Sequence, residues 1–493
     1  MESRSINQKA VPTSYVRYID WVSVGIYLLL IVAGVFSVYA ASYDFDNASI
    51  LDFNEFSGKQ VRWIFLALGL ALMIMLIDRR MYETYAYPIY LAMLAIMVVT
   101  IFVAPDIKGS RSWLVFGPIS FQPAEFGKFA TALALAKLFS GYQFRLNDSH
   151  TNYLRALAII FIPVALILAQ RETGSALAYL ALFFVLYREG MSGLVLLAAA
   201  GAVIIFVVAV KYAEPVFMGM PLGEAVVIML LGLLLIGMLA VYCRQITAAR
   251  NVTLFFTGAA LVGWLFHLFG LDIPGRYYLL PVLAAACLYS LLLCLRGESK
   301  PLLVSVGAVV AGVIFLYSVN YAFTSVLQPH HQQRIKVTLG LEEDRLGAGY
   351  NVNQSKIAIG SGGLTGKGFL NGTQTKLKYV PEQHTDFIYC TIGEEEGFIG
   401  STAVLLLFLA LILRILHIAE RQPTVFGRVY AYCVASYFIF HLGVNVGMVI
   451  GLCPVIGIPL PFFSYGGSSL WSFTILLFIL LRIDASRREH LTY

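Results

Sequence analysis

The sequence predicts an all-α polytopic membrane protein, and three observations support this prediction. Hydrophobic residues make up 59% of the 493 residues and charged residues only 13%, which lies outside the usual composition of soluble domains. Apolar runs of about 17 to 25 residues recur along the chain, and each is long enough to cross roughly 30 Å of hydrocarbon as a helix. A membrane-spanning barrel would show short alternating segments instead.

We predict about 14 transmembrane helices from these runs. The first run follows a polar tail and has no small-residue cleavage site, so we expect a retained helix rather than a signal peptide. The predicted spans are 18–41, 61–77, 85–103, 123–139, 153–169, 174–186, 193–210, 225–241, 252–269, 277–293, 303–321, 387–415, 429–450 and 468–481.

The distribution of basic residues predicts the orientation of these helices, because cytoplasmic turns carry the surplus of Lys and Arg in membrane proteins. Alternate turns hold most of the basic residues, among them Arg79, Arg80 and Arg188, whereas the intervening stretch 43–56 has acidic residues and no basic one. Both termini are therefore predicted to be cytoplasmic. By the same count, the long polar segment 322–386 is predicted to lie on the outer face.

Net charge and cysteine content argue against two other classes of function. The net charge is +6, but most basic residues lie in short turns between apolar runs, so we expect no nucleic-acid partner. The six cysteines lie in or beside apolar runs, and none has the paired spacing of a zinc site. We therefore predict neither disulfides nor a protein metal site.

The segment 322–386 is long and polar, and such loops are usually functional. Its middle part is rich in glycine, which lets backbone approach a ligand closely. Backbone amides and lysine ammonium groups together can hold phosphate oxygens. Lysines in this region are Lys356, Lys367, Lys376 and Lys378. We predict a phosphate-bearing ligand; the alternative is a flexible linker, which the apolar residues within the segment disfavour.

Asp386 stands where this loop enters an apolar helix. A partly desolvated carboxylate at such a place can act as a general base toward a sugar hydroxyl. Aspartate is also a good N-cap residue. The spacing alone leaves both roles open.

Two other polar groups interrupt apolar segments. Glu125 and Lys128 lie on one face of a predicted helix, where a buried ion pair either holds helices together or lines a cavity. The run 170–175 separates two apolar segments and predicts either a broken helix facing a polar cavity or an ordinary outer turn. Within it, Arg171 and Glu172 are adjacent and can pair.

Several segments together resemble the SEDS family (shape, elongation, division and sporulation), whose members are polytopic glycosyltransferases that polymerise peptidoglycan from lipid II. The resemblance covers most of the chain outside one block, and it favours an elongation member over a division member. The matching segments are 122–125 with Lys128, 354–364, 366–368, 372–374, 379–382, 384–387, 394–395 with Gly397, 459–461 and 464–469.

The resemblance implies a SEDS-type core of ten helices, to which about four helices have been added. It divides the chain into an N-terminal half of the core at 1–190, inserted helices at 191–300, and a C-terminal half at 301–493 that includes the extracytoplasmic catalytic loop 322–386. An even number of added crossings leaves the catalytic loop outside. We find no catalytic motif in the insert.

The resemblance also implies roles for individual residues. Asp386 is the expected catalytic base, and Glu125 with Lys128 is the expected buried pair near the cavity. The expected substrate-binding residues are Lys367, Lys376, Arg334, Gln374, Ser464 and Tyr465. Three further residues that can face the cavity are Glu172, Trp113 and His384.

This chain departs from the family pattern at two places near those residues. The family usually has Gln-Pro-Asp-Leu-Gly-Thr where residues 170–175 are Gln-Arg-Glu-Thr-Gly-Ser, so a role of that aspartate would pass to Glu172. The usual adjacent Arg-Trp pair is split here into Arg111 and Trp113. For that reason Arg111 is not counted among the expected site residues.

The implied function is a peptidoglycan glycosyltransferase of the bacterial cytoplasmic (inner) membrane that polymerises lipid II during cell elongation and cell-shape maintenance. Membrane lipids and a class B penicillin-binding protein are the expected partners, and a divalent cation, Mg²⁺ or Mn²⁺, is a candidate cofactor. The alternatives are a flippase for the lipid-linked precursor, a scaffold for a transpeptidase, and a division-type member. The absence of an obvious inverted repeat weakens the flippase alternative.

Overall fold

The structure is a computed structural model that describes residues 18–43, 52–53, 55–107, 109–117, 119–217, 219–270, 273–296, 301–327, 329–341 and 348–487. The chain divides into two compact units, one formed by residues 1–191 with 350–493 and the other by residues 192–349. The inserted range 191–300 and the three domain boundaries stay predictions.

The described residues up to 191 form helices and one short antiparallel hairpin. Pro123 begins the fifth helix, where its missing amide hydrogen costs no hydrogen bond. The elements are α1 (Trp21–Ser42), α2 (Phe56–Leu76), α3 (Arg79–Thr84), α4 (Ala86–Val103), β1 (Leu114–Phe116), β2 (Ile119–Phe121), α5 (Pro123–Phe139), α6 (His150–Ala169), α7 (Thr173–Tyr179) and α8 (Leu182–Arg188).

The described residues of the second unit also form helices and one hairpin, whose two strands have two residues each. Its elements are α9 (Gly193–Lys211), β3 (Val216–Phe217), β4 (Met220–Pro221), α10 (Leu222–Gly237), α11 (Ile246–Leu268), α12 (Arg276–Leu295), α13 (Pro301–Tyr321) and α14 (Pro329–Thr338). Helix α10 packs against α9, α11, α12 and α13. The buried Glu224 on α10 accepts hydrogen bonds from Nη2 of Arg276 at 2.7 Å and from the Tyr317 hydroxyl at 2.7 Å. This contact joins α10, α12 and α13.

The rest of the chain completes the first unit. Its elements are α15 (Ala348–Gly362), α16 (Thr373–Lys376), α17 (Ile388–Glu395), α18 (Gly397–Glu420), α19 (Val425–Val449) and α20 (Gly467–Ala485). Helices α19 and α20 are the most enclosed of the long apolar helices, with 67% and 94% of their apolar windows buried. The polar residues that these two helices carry therefore face protein.

The predicted fold class is confirmed. Within the described residues, twelve helices are long and apolar enough to cross a membrane. The predicted span 123–139 is formed by the 17-residue helix α5 with the same bounds. The predicted span 174–186 is not one helix but is formed by the short helices α7 and α8. The chain is a multi-pass membrane protein.

The predicted span 387–415 is wrong as a single helix, because the chain breaks between α17 and α18. Gly397 has a φ of +66°, and a Cβ atom at that position would lie 2.2 Å from the backbone nitrogen of Gly366. The break lets two backbone segments pair, since the amide of Lys367 donates to the carbonyl of Glu394 at 3.0 Å and that of Phe398 donates to Gly363 at 2.9 Å. Only glycine allows both the positive φ and the close approach.

Charged residues join the helix ends that are predicted to be cytoplasmic. Asp20, the N-cap of α1, binds the guanidinium of Arg414 on α18, with Nε 3.0 Å from Oδ2. Arg421, one residue beyond α18, binds Asp484 of α20, which also accepts from Arg487 at 2.9 Å. Both aspartates are almost fully buried. The network therefore ties α1, α18 and α20 together.

We expect Asp20→Asn to lower the free energy of unfolding by about 2 kcal/mol, because asparagine keeps the helix cap but loses the charged hydrogen bonds to Arg414. The matched control is Asp78→Asn. Asp78 is also an N-cap, on α3, and no described residue forms an ion pair with it, so this variant should be nearly neutral. The measurement is equilibrium unfolding in detergent micelles; equal effects of the two variants would contradict the prediction.

The effect of Asp20→Asn should also depend on pH. Desolvation raises the pKa of Asp20, but the hydrogen bonds from Arg414 and Ser23 outweigh it and lower the pKa from 3.8 to about 2. A carboxyl group with a lowered folded-state pKa contributes stability above its unfolded pKa and loses it as the pH falls toward the folded value. The difference between wild type and variant should therefore be full above about pH 4 and shrink between pH 4 and pH 2.

Candidate active site

Three hydrogen bonds fix the backbone around Asp386. The side-chain amide of Asn445 donates to the Asp386 carbonyl at 2.9 Å, and the Ser464 hydroxyl donates to the Thr385 carbonyl at 2.6 Å. The backbone amide of Tyr465 donates to the His384 carbonyl at 2.8 Å. The donors come from α19 and from the turn between α19 and α20. Residues distant in sequence therefore hold this loop in one conformation.

The Asp386 side chain is half-buried and is not the helix cap. Helix α17 begins at Ile388, and the cap position belongs to Phe387. The carboxylate oxygen Oδ2 of Asp386 lies 3.3 Å from the place that a Cβ atom would take at Gly457, which has a φ of +79°. Capping does not account for an aspartate at this position, and a side chain at position 457 would crowd the carboxylate.

An aromatic cluster lies beside the same loop. His384 stacks on Phe56 with ring centres 4.2 Å apart, and Tyr465 meets Phe56 edge to face at 5.0 Å. A cavity of about 220 Å³ adjoins this cluster, and Glu55 and Lys378 are among the residues that line it. Two of the predicted site residues, His384 and Tyr465, are thus brought next to the loop that carries Asp386.

Lys367, predicted to bind substrate, forms a buried cluster with Glu394. Its ammonium nitrogen is 2.7 Å from Oε1 of Glu394. The amides of Gln374 and Thr375 also donate to this carboxylate, at 2.9 and 2.8 Å. Burial raises the pKa of Glu394, but Lys367 and these donors outweigh it, so the pKa lies below its usual value. The cluster fixes α16, which places Gln374 and Lys376, against α17.

The glycine-rich segment packs on protein rather than presenting free amides. A Cβ atom at Gly362 would lie 2.0 Å from the carbonyl oxygen of Gly393, and one at Gly366 would lie 2.0 Å from that of Glu395. The amides of Lys367 and Gly368 donate to carbonyls of α17. These two amides are therefore bonded to α17, and the predicted phosphate-bearing ligand stays a prediction.

The other predicted site residues differ in what they contact. The ammonium nitrogen of Lys376 lies 5.9 Å from the ring centre of Tyr43. The Ser464 hydroxyl is buried and binds two backbone groups, so it acts on the loop and not toward solvent. Trp113 is half-buried just before β1. Arg334 lies in α14, and its side chain is outside the described residues.

Glu125 and Lys128 form the predicted buried pair, and sequence reasoning missed its third member. The Lys128 ammonium is 2.8 Å from Oε2 of Glu125 and 3.1 Å from Nε2 of His441 on α19. Because the ammonium can only donate, Nε2 is the acceptor, and Nδ1 carries the hydrogen that binds the Pro459 carbonyl at 3.2 Å. The pair is thus connected to the turn that leads to Ser464.

Glu172, expected to take the place of the family's aspartate, is held by two serines and not by Arg171. The hydroxyls of Ser110 and Ser112 donate to its Oε2 at 3.0 and 3.1 Å. Burial raises its pKa, and the charge of Glu125 adds to the effect. Within the described residues, no ion pair joins Arg171 to Glu172. The contact ties the segment before β1 to the start of α7.

No group of three His, Cys, Asp or Glu side chains capable of holding a metal ion is found among the described residues. Asp386 thus belongs to no protein cluster of that kind in the described part of the chain. The divalent cation stays a prediction from the resemblance.

Comparisons with known proteins find relatives that match most of this chain. Among curated proteins, the chain is 30% identical over 434 residues to the peptidoglycan glycosyltransferase RodA of Treponema pallidum, covering 87% of this chain and 89% of that one. It is 30% identical over 408 residues to the peptidoglycan glycosyltransferase MrdB of Escherichia coli K12, covering 82% of this chain and 80% of that one.

A solved structure that concerns the coordination of polymerization and crosslinking by a peptidoglycan synthase complex shares the fold. Its TM-score is 0.59 at 22% identity, with 95% of this chain and 98% of that chain covered. The sequence profile of the FtsW/RodA/SpoVE family, described as cell cycle protein, matches residues 20–222 and 281–489, well over half of the chain. The protein is therefore a member of the FtsW/RodA/SpoVE family.

Proposed function

We propose that this protein is a peptidoglycan glycosyltransferase that polymerises lipid II into glycan strands during cell elongation. The observation that carries the proposal is Asp386: a half-exposed carboxylate on a loop that three hydrogen bonds hold in place. Fixed geometry of this kind is what a general base requires. The names of the two 30% identical relatives support the same activity and the elongation role.

In the proposed reaction, the carboxylate of Asp386 accepts the proton of the acceptor's 4-hydroxyl group. The hydroxyl oxygen forms a bond to C1 of the donor sugar, and the bond from C1 to the undecaprenyl diphosphate oxygen breaks with its electron pair. A single displacement converts the α-linked diphosphate into a β-1,4 glycosidic bond. Asp386 then returns its proton to water.

The departing diphosphate needs positive charge beside it. We assign this role to Lys376, with Lys367 as a further candidate; for Arg334 the role stays an expectation from the resemblance. Lys367 forms an ion pair with the buried Glu394. It therefore stabilises the loop conformation and also adds positive charge. Gln374, on the same short helix as Lys376, is the neighbouring polar contact for the sugar.

The proposal also includes the location of the protein and its partner. The protein lies in the bacterial cytoplasmic membrane with both termini inside, so that the loop 322–386 faces outward, where lipid II is consumed. A class B penicillin-binding protein is the proposed partner, since the related structure concerns a complex that couples polymerization to crosslinking. Strands made by this chain would then pass to the partner for crosslinking.

The direct test is strand synthesis from labelled lipid II by the purified protein, with its partner transpeptidase inactivated. Products that a muramidase digests would support the proposal. The same preparation in liposomes, assayed for lipid II translocation, addresses the flippase alternative. Translocation without polymer would overturn the proposed function in favour of transport, and neither activity would favour a scaffold.

Asn445→Asp should reduce kcat by about 100-fold while changing KM little, because the loop loses its tether and small displacements of a catalytic group are costly. The variant keeps the side-chain shape but removes the amide that donates to Asp386 and, at 2.7 Å, to Ile458. The matched control is Asn251→Asp in the second unit, whose amide donates to Tyr289 at 2.8 Å. Initial rates over a range of lipid II concentrations provide the measurement. A wild-type kcat would refute the positioning role.

A further inference from the structure

The structure contains an apolar groove that none of the proposed catalytic residues lines. It has a volume of about 470 Å³ and runs along α1 and α18, which are both long enough to span the membrane. Its walls are mainly apolar, and it passes the start of α18 where α17 ends. The apolar side chains along it include Ala33, Phe36, Phe369, Val404, Leu407 and Phe463. An apolar lining of this kind is suited to binding a hydrocarbon chain.

Glu395 lines the polar end of this groove and is only 3% exposed. Its Oε1 atom is buried and has no hydrogen-bond partner among the described residues. Amides of Leu370 and Gly372 bind the same carboxyl group, but burial and the charges of Glu394 and Glu396 raise its pKa to about 7. A buried polar oxygen without a partner is costly, so a donor from outside the chain would stabilise it.

The charges around the groove decide which polar group fits. Glu395 and Glu396 both line it, and no Lys, Arg or His among the described residues does. A diphosphate or an anionic lipid headgroup placed there would be repelled by like charge, whereas an ammonium group would be attracted and would donate hydrogen bonds. A quaternary ammonium has no hydrogen to donate.

We propose that this groove binds a phospholipid with a primary ammonium headgroup, which donates to Oε1 of Glu395 while an acyl chain lies between α1 and α18. None of the groups assigned to proton transfer or to the leaving diphosphate lines this groove. The lipid proposal can therefore be tested independently of the proposed glycosyl transfer. Its occupant enters sideways from the bilayer.

The test is native mass spectrometry of the full-length protein in detergent, with phosphatidylethanolamine, phosphatidylglycerol or phosphatidylcholine added separately. We expect saturable retention of phosphatidylethanolamine alone. Glu395→Gln should weaken this retention by about tenfold or more, since a charge-assisted hydrogen bond is lost. Equal retention of phosphatidylglycerol, or of phosphatidylcholine, would overturn the proposal, as would undiminished retention by Glu395→Gln.

A second variant covers the case in which Glu395→Gln fails to fold. Ala403 lines the groove and is exposed on α18, so Ala403→Phe should fill the groove and abolish retention. The matched control is Ala410→Phe, at an exposed position of the same helix that does not line the groove. If Ala403→Phe and Ala410→Phe retain equal amounts of phosphatidylethanolamine, the groove is not the site.

Discussion

Asp386→Asn is expected to abolish glycan-strand formation, with the rate from lipid II falling by about 100-fold to 10,000-fold, the range that a general base contributes. Asparagine has nearly the same shape as aspartate, so the three hydrogen bonds to the backbone at 384–386 are retained. What the variant loses is the ability to take a proton from the acceptor hydroxyl. The measurement is the initial rate of polymer formation at saturating lipid II.

Two controls separate this chemical effect from a structural one. The thermal midpoint of the variant should match that of the wild type, and lipid II binding should be retained. Asp106→Asn makes the same chemical change in the segment after α4, where an exposed carboxylate caps the amide of Gly109 at 2.9 Å, and it should polymerise normally. If Asp386→Asn also polymerises at the wild-type rate, Asp386 is not the base.

The membrane spans could be predicted from the sequence because each depends on a local property. A run such as 193–210 is apolar over a length that crosses the bilayer, and the structure forms α9 over Gly193–Lys211. One exception is the segment 387–415. Its break at Gly397 arises from backbone contact with Gly366, about thirty residues away in the chain, and no local pattern indicates such a contact.

The candidate site was only partly predictable for the same reason. Asp386 and the Glu125–Lys128 pair stand out as charges beside apolar sequence, which is a local signal. His441 and Asn445 lie within a long apolar helix, and their partners come from distant segments. A polar residue inside a membrane span is itself a signal of function or pairing. Applied to α19, that rule would have selected both residues, although not their partners.

The glycine-rich segment shows what a sequence pattern leaves open. Glycines beside lysines predict a phosphate site, but a close backbone approach can serve a ligand or another helix. In this protein Gly362 and Gly366 approach the backbone of α17, and Lys367 pairs with Glu394. Sequence specifies that the backbone must come close to something. The tertiary fold decides what that partner is.

Lys128→Met is expected to lower the free energy of unfolding by about 3 to 5 kcal/mol, the cost of leaving a buried charge without its partner. Lys128 is 1% exposed, and its ammonium contacts Glu125, His441 and, at 4.3 Å, the ring centre of Phe473. Methionine fills similar space but leaves the Glu125 carboxylate buried and unpaired. Equilibrium unfolding in detergent micelles measures the difference.

A matched pair on the same helix supplies the control for Lys128→Met. Lys137 on α5 pairs with Glu83 at 3.4 Å, but about a third of each side chain is exposed, and an exposed pair contributes about 0 to 1 kcal/mol. Lys137→Met should therefore cost little, and the double variant Glu125→Leu with Lys128→Met should recover much of the lost stability because no charge remains buried. Equal effects of Lys128→Met and Lys137→Met would show that burial does not set the strength of this pair. A large effect confined to Lys128→Met would identify the pair as the contact that fixes α5 against α19. Through His441 and Pro459, this contact also supports the turn that holds the Asp386 loop.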